Sequence, residues 1–184
     1  MKTFALSLFT AGALALSGAA FAQTSVEVGG APMMSNMRIP ENASKAPNLT
    51  TLVTAVGAAG LVDTLMGDGP FTVFAPTNAA FEKLPAGTVD TLVKPENKAT
   101  LTHVLTYHVV PGKLTAADLM AQAKAHKGMA NLTTVSGDAL TVQESGGKLM
   151  VFDESGGHAT IETPDVLQAN GVVHVIDTVL MPKM

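Results

Sequence analysis

The side chains best suited to acid–base or metal chemistry are five histidines, His103, His108, His126, His158 and His174. A histidine metal site needs ligands spaced to share one face, as in H-E-x-x-H. His103 and His108 lie five positions apart across a helix-to-strand change and fit no such pattern. His126 and His158 read as exposed, and His174 sits in an apolar run that reads as a core strand. The chain has no cysteine, so thiolate ligands, a Cys nucleophile and disulfides are all absent. Ser145 and Ser155 each follow Glu and precede Gly-Gly, which is not the G-x-S-x-G elbow. Both suit turns better than catalysis. Neither a P-loop nor a G-x-G-x-x-G after a strand occurs. These residues predict a non-enzymatic chain with structural histidines, no catalytic residue, no cofactor and no metal.

The elements that must position these residues follow an export signal. Lys2 precedes an apolar run over residues 4–16, and Ala20-x-Ala22 offers the small side chains a signal peptidase selects, placing cleavage after Ala22. The run is short for a bilayer span, which takes about 20 residues. A periplasmic or extracellular product with no integral membrane span is therefore expected. The net charge of −4 includes no basic run, which argues against nucleic acid as a partner. Residues 23–47, rich in Gly, Pro, Ser and Asn, read as an N-terminal arm. That arm is either free or docked through Met33, Met34, Met37 and Ile39.

Regular structure is predicted from residue 48 to residue 182. Apolar residues recur at helical spacing over 49–56, with Asn48 or Thr50 as N-cap. The β-branched and aromatic run 71–75 reads as a strand, and Thr77 or Asn78 caps a short helix beyond it. Helices follow over 87–93 and 95–105, then an extended stretch over 107–110. Thr115 and Asp118 form a capping box for a helix through about Lys124. Strands are expected over 132–135, 139–143, 148–152, 159–162 and 172–177. Two Glu-Ser-Gly-Gly turns, at 144–147 and 154–157, join hairpins. Helices first and antiparallel strands afterwards give an α+β domain.

Three segments carry a resemblance to a known family. They are Gly69-Pro70-Phe71-Thr72-Val73-Phe74-Ala75-Pro76-Thr77-Asn78-Ala79-Ala80-Phe81, then Leu105-Thr106-Tyr107-His108-Val109-Val110-Pro111-Gly112. The last is Asn170-Gly171-Val172-Val173-His174-Val175-Ile176-Asp177-Thr178-Val179-Leu180-Met181-Pro182. Their order and spacing resemble the fasciclin domain family, most closely its short, secreted, single-domain bacterial members. The resemblance implies a twisted antiparallel β-wedge packed against a cluster of α-helices. It also implies that Thr72 to Asn78, Phe81, Tyr107, His108, Gly171, Val172, His174, Val175, Ile176 and Asp177 are structural. Buried Tyr107 and His108 are expected to tie their strand to a neighbouring loop, because an unpaired buried polar group costs about 1–3 kcal/mol.

The resemblance further implies cell adhesion, through a protein or a cell-surface or extracellular-matrix component, with self-association as a route to bridging. In animal members an Asp-Ile pair before the last motif is tied to integrin recognition. Asp165 and Val166 match that pair in character and are the partner-binding candidates, although Thr163 stands where those members carry an acidic residue. Turn chemistry favours the plainer reading, that Pro164-Asp165 simply turns the chain. The second functional class is a periplasmic carrier of a small apolar ligand or lipid, from the Val-, Leu- and Met-rich composition. Asn42, Asn48 and Asn131 head glycosylation sequons, expected to be unused behind a bacterial-type signal.

Overall fold

Gly29 and Gly30 both take positive φ, which lets two residues turn strand β1 (Ser25–Val28) into β2 (Ala31–Met34). The computed structural model describes residues 25–183. The export signal at residues 1–22 lies outside them. Helix α1 (Ile39–Ala43) follows the hairpin. The segment read as an arm is thus docked and ordered, with Val28, Met33, Ile39 and Ala46 all buried. Its composition resembled a linker because the glycines sit in one tight turn while its few apolar side chains face inward.

Helices α2 (Thr50–Ala59) and α3 (Val62–Leu65) lead to strand β3 (Phe71–Pro76). Then come α4 (Asn78–Glu82), α5 (Thr88–Leu92), a 3-10 turn at Pro95–Asn97 and α6 (Lys98–Tyr107). Strand β4 (Val109–Pro111) and helix α7 (Ala116–Ala125) precede the strand-rich half. That half comprises β5 (Met129–Thr133), β6 (Ala139–Ser145), β7 (Lys148–Phe152), β8 (His158–Gln168) and β9 (Gly171–Ile176).

Seven strands form one sheet in the order β4-β3-β9-β8-β7-β6-β5. Every neighbouring pair is antiparallel except β3 and β9, which run parallel. The wedge is therefore not purely antiparallel at its centre. Past β5, the Val135 N–H donates to the Val109 carbonyl of β4 at 2.8 Å, so the two edges meet and the sheet nearly closes.

Strand β9 is buried at all six positions, and β3 at five of six, as expected for central strands covered on both faces. Val73, Ala75, Val173 and Val175 face a core shared with Leu52, Val56, Leu101 and Leu105 of the helices. Phe74 and Ile176 face a second core with Leu119 of α7 and Leu140, Val142 and Val151 of the hairpins. The outer strands β6 and β7 instead alternate between buried and exposed positions, each covering the second core with one face only.

Two local expectations are corrected. Tyr107 ends helix α6 and does not begin a strand, and His108 is still in the helical region. The helix runs on because the His108 ring takes up the Val104 carbonyl, one of the last four that a helix leaves unpaired. Pro164-Asp165 is not a turn: β8 continues through it, with register shifts between Ile161 and Val166 and Asp165 at φ 56°. That is a β-bulge, which re-aims side chains without ending the pairing.

Gly171 lies opposite Phe71 in the parallel register, and a Cβ there would overlap the Phe71 carbonyl oxygen. Gly171→Ala is expected to lose roughly 3 kcal/mol of stability through forced separation of the central strands. Gly57 lies in α2 with open space where a Cβ would stand, so Gly57→Ala is expected to gain up to about 1 kcal/mol. Urea unfolding midpoints of the two variants should move in opposite directions.

Candidate functional site

The family-like motifs converge on the central strands, and their polar members tie loops to them. The Tyr107 hydroxyl donates to the Ala139 carbonyl at 2.8 Å and accepts the Glu154 N–H at 3.1 Å. Burial pushes its pKa up to about 12, against the lowering effect of the Glu154 N–H. His108 Nδ1–H donates to the Val104 carbonyl at 2.7 Å, and Nε2 accepts the Leu180 N–H at 3.1 Å. His174 Nε2–H donates to the Leu114 carbonyl at 2.9 Å, and Nδ1 accepts the Asp165 N–H at 3.3 Å. Each ring is a neutral imidazole whose tautomer is set by one carbonyl and one N–H. Complete burial outweighs the Val104 bond and lowers the His108 pKa to about 4; burial lowers that of His174 as well.

Thr72 Oγ1 donates to the Gly112 carbonyl at 2.7 Å and accepts the Leu114 N–H at 2.9 Å. Thr77 caps α4 by accepting the Ala80 N–H. Asn78 caps α2 from across the fold: its Oδ1 accepts the Thr51 N–H at 3.0 Å, and its Nδ2 donates to the Pro47 carbonyl at 3.1 Å. Neither Asn48 nor Thr50 plays that part, since the N-cap position falls on Leu49 and has no side-chain bond of its own. Asp177 Oδ1 accepts the Thr160 N–H at 2.8 Å and the Thr178 hydroxyl at 3.0 Å. Partial burial raises its pKa, but these bonds and Lys83, 3.6 Å away, outweigh that and hold it below the ordinary range. Phe81, Pro76 and Val172 are buried and complete the core around these ties.

No hydrolytic relay assembles from the other candidates. His103 Nε2 lies 2.7 Å from Asp138 Oδ2, and the Ser136 hydroxyl donates to the same oxygen at 2.8 Å. The carboxylate stands between serine and histidine, whereas a nucleophilic triad needs histidine in the middle. The group instead pins the 134–138 loop to α6. His126 and His158 are exposed, and Ser145 and Ser155 lie in or beside hairpin turns. Among the described residues no three His, Asp or Glu side chains gather where they could hold a metal ion.

The partner-binding candidates are placed differently from the expectation. Val166 is 1% exposed and faces the helical core. The Asp165 carboxylate accepts the Ala116 N–H at 2.7 Å, at the first turn of α7. The bulge turns Val166 inward, while Asp165 stays half-buried with one carboxylate oxygen committed to the first turn of α7. Asn42, head of one sequon, is 1% exposed and bonded within the fold.

A cavity of about 230 Å³ lies between the docked N-terminal segment and the helical core. Val28, Met33 and Ile39 roof it, Leu52 and Val56 of α2 wall it, and Val166, Val173 and Val175 floor it. Asn42, Gln168 and Asn170 latch the roof in place. Asn42 Nδ2 donates to Gln168 Oε1 and to the Met34 carbonyl, and its Oδ1 accepts the Met34 N–H. Asn170 Oδ1 accepts the Ile39 N–H at 3.1 Å while its Nδ2 donates to the Leu65 and Gly67 carbonyls. Sequence reasoning missed Asn42 and Gln168 as latches, because nothing in their local context marks a partner over a hundred residues away. Asn170 was visible only as part of the last motif.

The family model for the fasciclin domain matches residues 47–182. The chain belongs to the fasciclin domain family. Protein sll1483 of Synechocystis sp. is 48% identical over 150 residues, covering 82% of this chain and 76% of that protein. The immunogenic protein MPB70 of Mycobacterium bovis is 41% identical over 154 residues, 81% of this chain and 71% of that one. The cell surface glycolipoprotein MPB83 of the same species is 41% identical over 145 residues, 76% of this chain and 58% of that protein. In fold, the chain is similar to the FAS1 domain pair of the insect cell adhesion molecule Fasciclin I, with a TM-score of 0.70 at 19% identity. That likeness covers 87% of this chain and 58% of the other. All three motifs lie within the matched fasciclin domain, whereas β1, β2 and α1 precede it.

The neutral His108 makes the fasciclin domain pH-sensitive in a defined direction. Its folded pKa of about 4 lies below the ordinary 6.5, so the unfolded chain binds the proton first. Stability is full above pH 6.5 and falls as pH drops towards 4, by about 3 kcal/mol from this residue. Urea unfolding at pH 7 and pH 4 should show a smaller difference in His108→Gln than in the natural chain. An unchanged difference would show that His108 is not the titrating group.

Proposed function

We propose that this chain is an exported, non-catalytic fasciclin-type domain that attaches to a protein or to a cell-surface or matrix component. The observation that carries this reading is family membership: fasciclin domains generally bind proteins or surfaces. The names of two similar proteins, a cell surface glycolipoprotein and a cell adhesion molecule, lend support. The polar residues of the three motifs make internal ties that join loops to the central strands. The leader at residues 1–22 supports export, with a periplasmic or extracellular destination. Among the described residues no helix is long and apolar enough to cross a membrane. A fasciclin domain bridges two surfaces when it docks on a partner or self-associates, and either would complete the role.

Deleting the gene is expected to reduce attachment of the source cells to surfaces or to one another, and adding back the purified protein should restore it. Attachment unchanged by deletion across growth conditions would overturn the reading.

A further inference from the structure

We propose that the docked N-terminal segment and the fasciclin domain together form a binding site for a small, neutral, apolar molecule, an aromatic or aliphatic hydrocarbon group of about ten heavy atoms. The site is the cavity of about 230 Å³ beneath the β1–β2 hairpin. Protein interiors are packed with few voids larger than a water molecule, so a space of this size at the heart of the helical core is unusual. A dry cavity of about 150 Å³ lined by Leu, Ile and Phe accepts benzene, and the larger volume here scales to about ten heavy atoms.

The lining decides the class of ligand. Val, Leu, Ile, Met and Ala side chains make up most of the wall, and no charged side chain contributes to it. The polar side chains that do reach it are already paired. Asn42 is bonded to Met34 and Gln168, Gln168 Nε2 donates to the Val166 carbonyl at 3.2 Å, and Ser44 Oγ donates to the Glu41 carbonyl at 2.8 Å. A water molecule needs two to four polar partners and finds few here. A carboxylate or ammonium would be stripped of water with nothing to compensate it. A neutral apolar group meets neither penalty.

Side-chain bonds hold the roof in place over the cavity. Asn42–Gln168 and Ile39–Asn170 bonds fix the hairpin and α1 over the opening, while Ser44 and Val62 on the rim reach the surface. Val166, the residue first assigned to partner recognition, forms part of the floor. The strands β1 and β2 and helix α1 precede residues 47–182, so the site is shared between the N-terminal segment and the span that the family model matches. It stands independently of the adhesion reading.

Naphthalene, a fluorescent ten-carbon probe, tests the proposal on the purified exported chain. Saturable, one-to-one binding is expected, with methyl NMR shifts concentrated on Leu52, Val166 and Val175. Decanoate at equal concentration should compete at least tenfold more weakly, because its carboxylate has no partner in the cavity. Ala43→Phe, which projects a ring into the space from α1, should weaken naphthalene at least tenfold without lowering the unfolding midpoint. If Ala43→Phe does not fold, Val53→Phe on α2 fills the same space from the opposite wall. No saturable binding up to the solubility of naphthalene would overturn the proposal. So would methyl shifts lying away from the cavity, or equal binding by the natural and the filled chains.

Discussion

The parallel contact between β3 and β9 is the constraint on which the rest of the structure depends. Phe71 and Gly171 meet so closely that only hydrogen fits on the glycine α-carbon. From that point the two strands run side by side through Pro76 and Ile176, buried on both faces. One face carries the helical core and the other the core beneath α7. The spine therefore joins two apolar clusters that would otherwise have no common wall. Each fully buried valine along it is worth about 1.5–3 kcal/mol, so a separated pair would weaken both cores at once.

A spine buried on both sides leaves little room for loops that satisfy their own backbone groups. The fold solves this with side chains. His174 holds the Leu114 carbonyl and the Asp165 N–H, while His108 holds the Val104 carbonyl and the Leu180 N–H. Tyr107 does the same for Ala139 and Glu154. Each residue has both a donor and an acceptor, which is what bridging a carbonyl to an N–H demands. A neutral histidine meets that need in a buried place where a charged one would be penalised. Polar motif residues that look like chemistry are thus connections between loops, and the proposed binding falls to a place lined by apolar side chains.

The N-terminal segment supplies such a place. Its hairpin and α1 close over the helical core without filling it, and their polar latches to Gln168 and Asn170 hold the roof at a set distance. The buried apolar side chains Val166, Val173 and Val175 of β8 and β9 line the cavity beneath.

What the amino-acid sequence determined alone was whatever depends on neighbours a few residues away. The Thr77 cap, the Thr115–Asp118 capping box, the two Glu-Ser-Gly-Gly hairpins and the apolar run of β9 were all legible, as was the family through its three motifs. Tertiary structure alone decided the parallel register of two strands about a hundred residues apart, and the capping of α2 by Asn78. It also kept Tyr107 helical, turned Val166 inward and docked a segment whose composition resembled a linker. In each case the deciding free energy came from burying apolar surface or pairing a buried polar group across the fold. Local propensity, spread over roughly 1 kcal/mol, is too small to resist that.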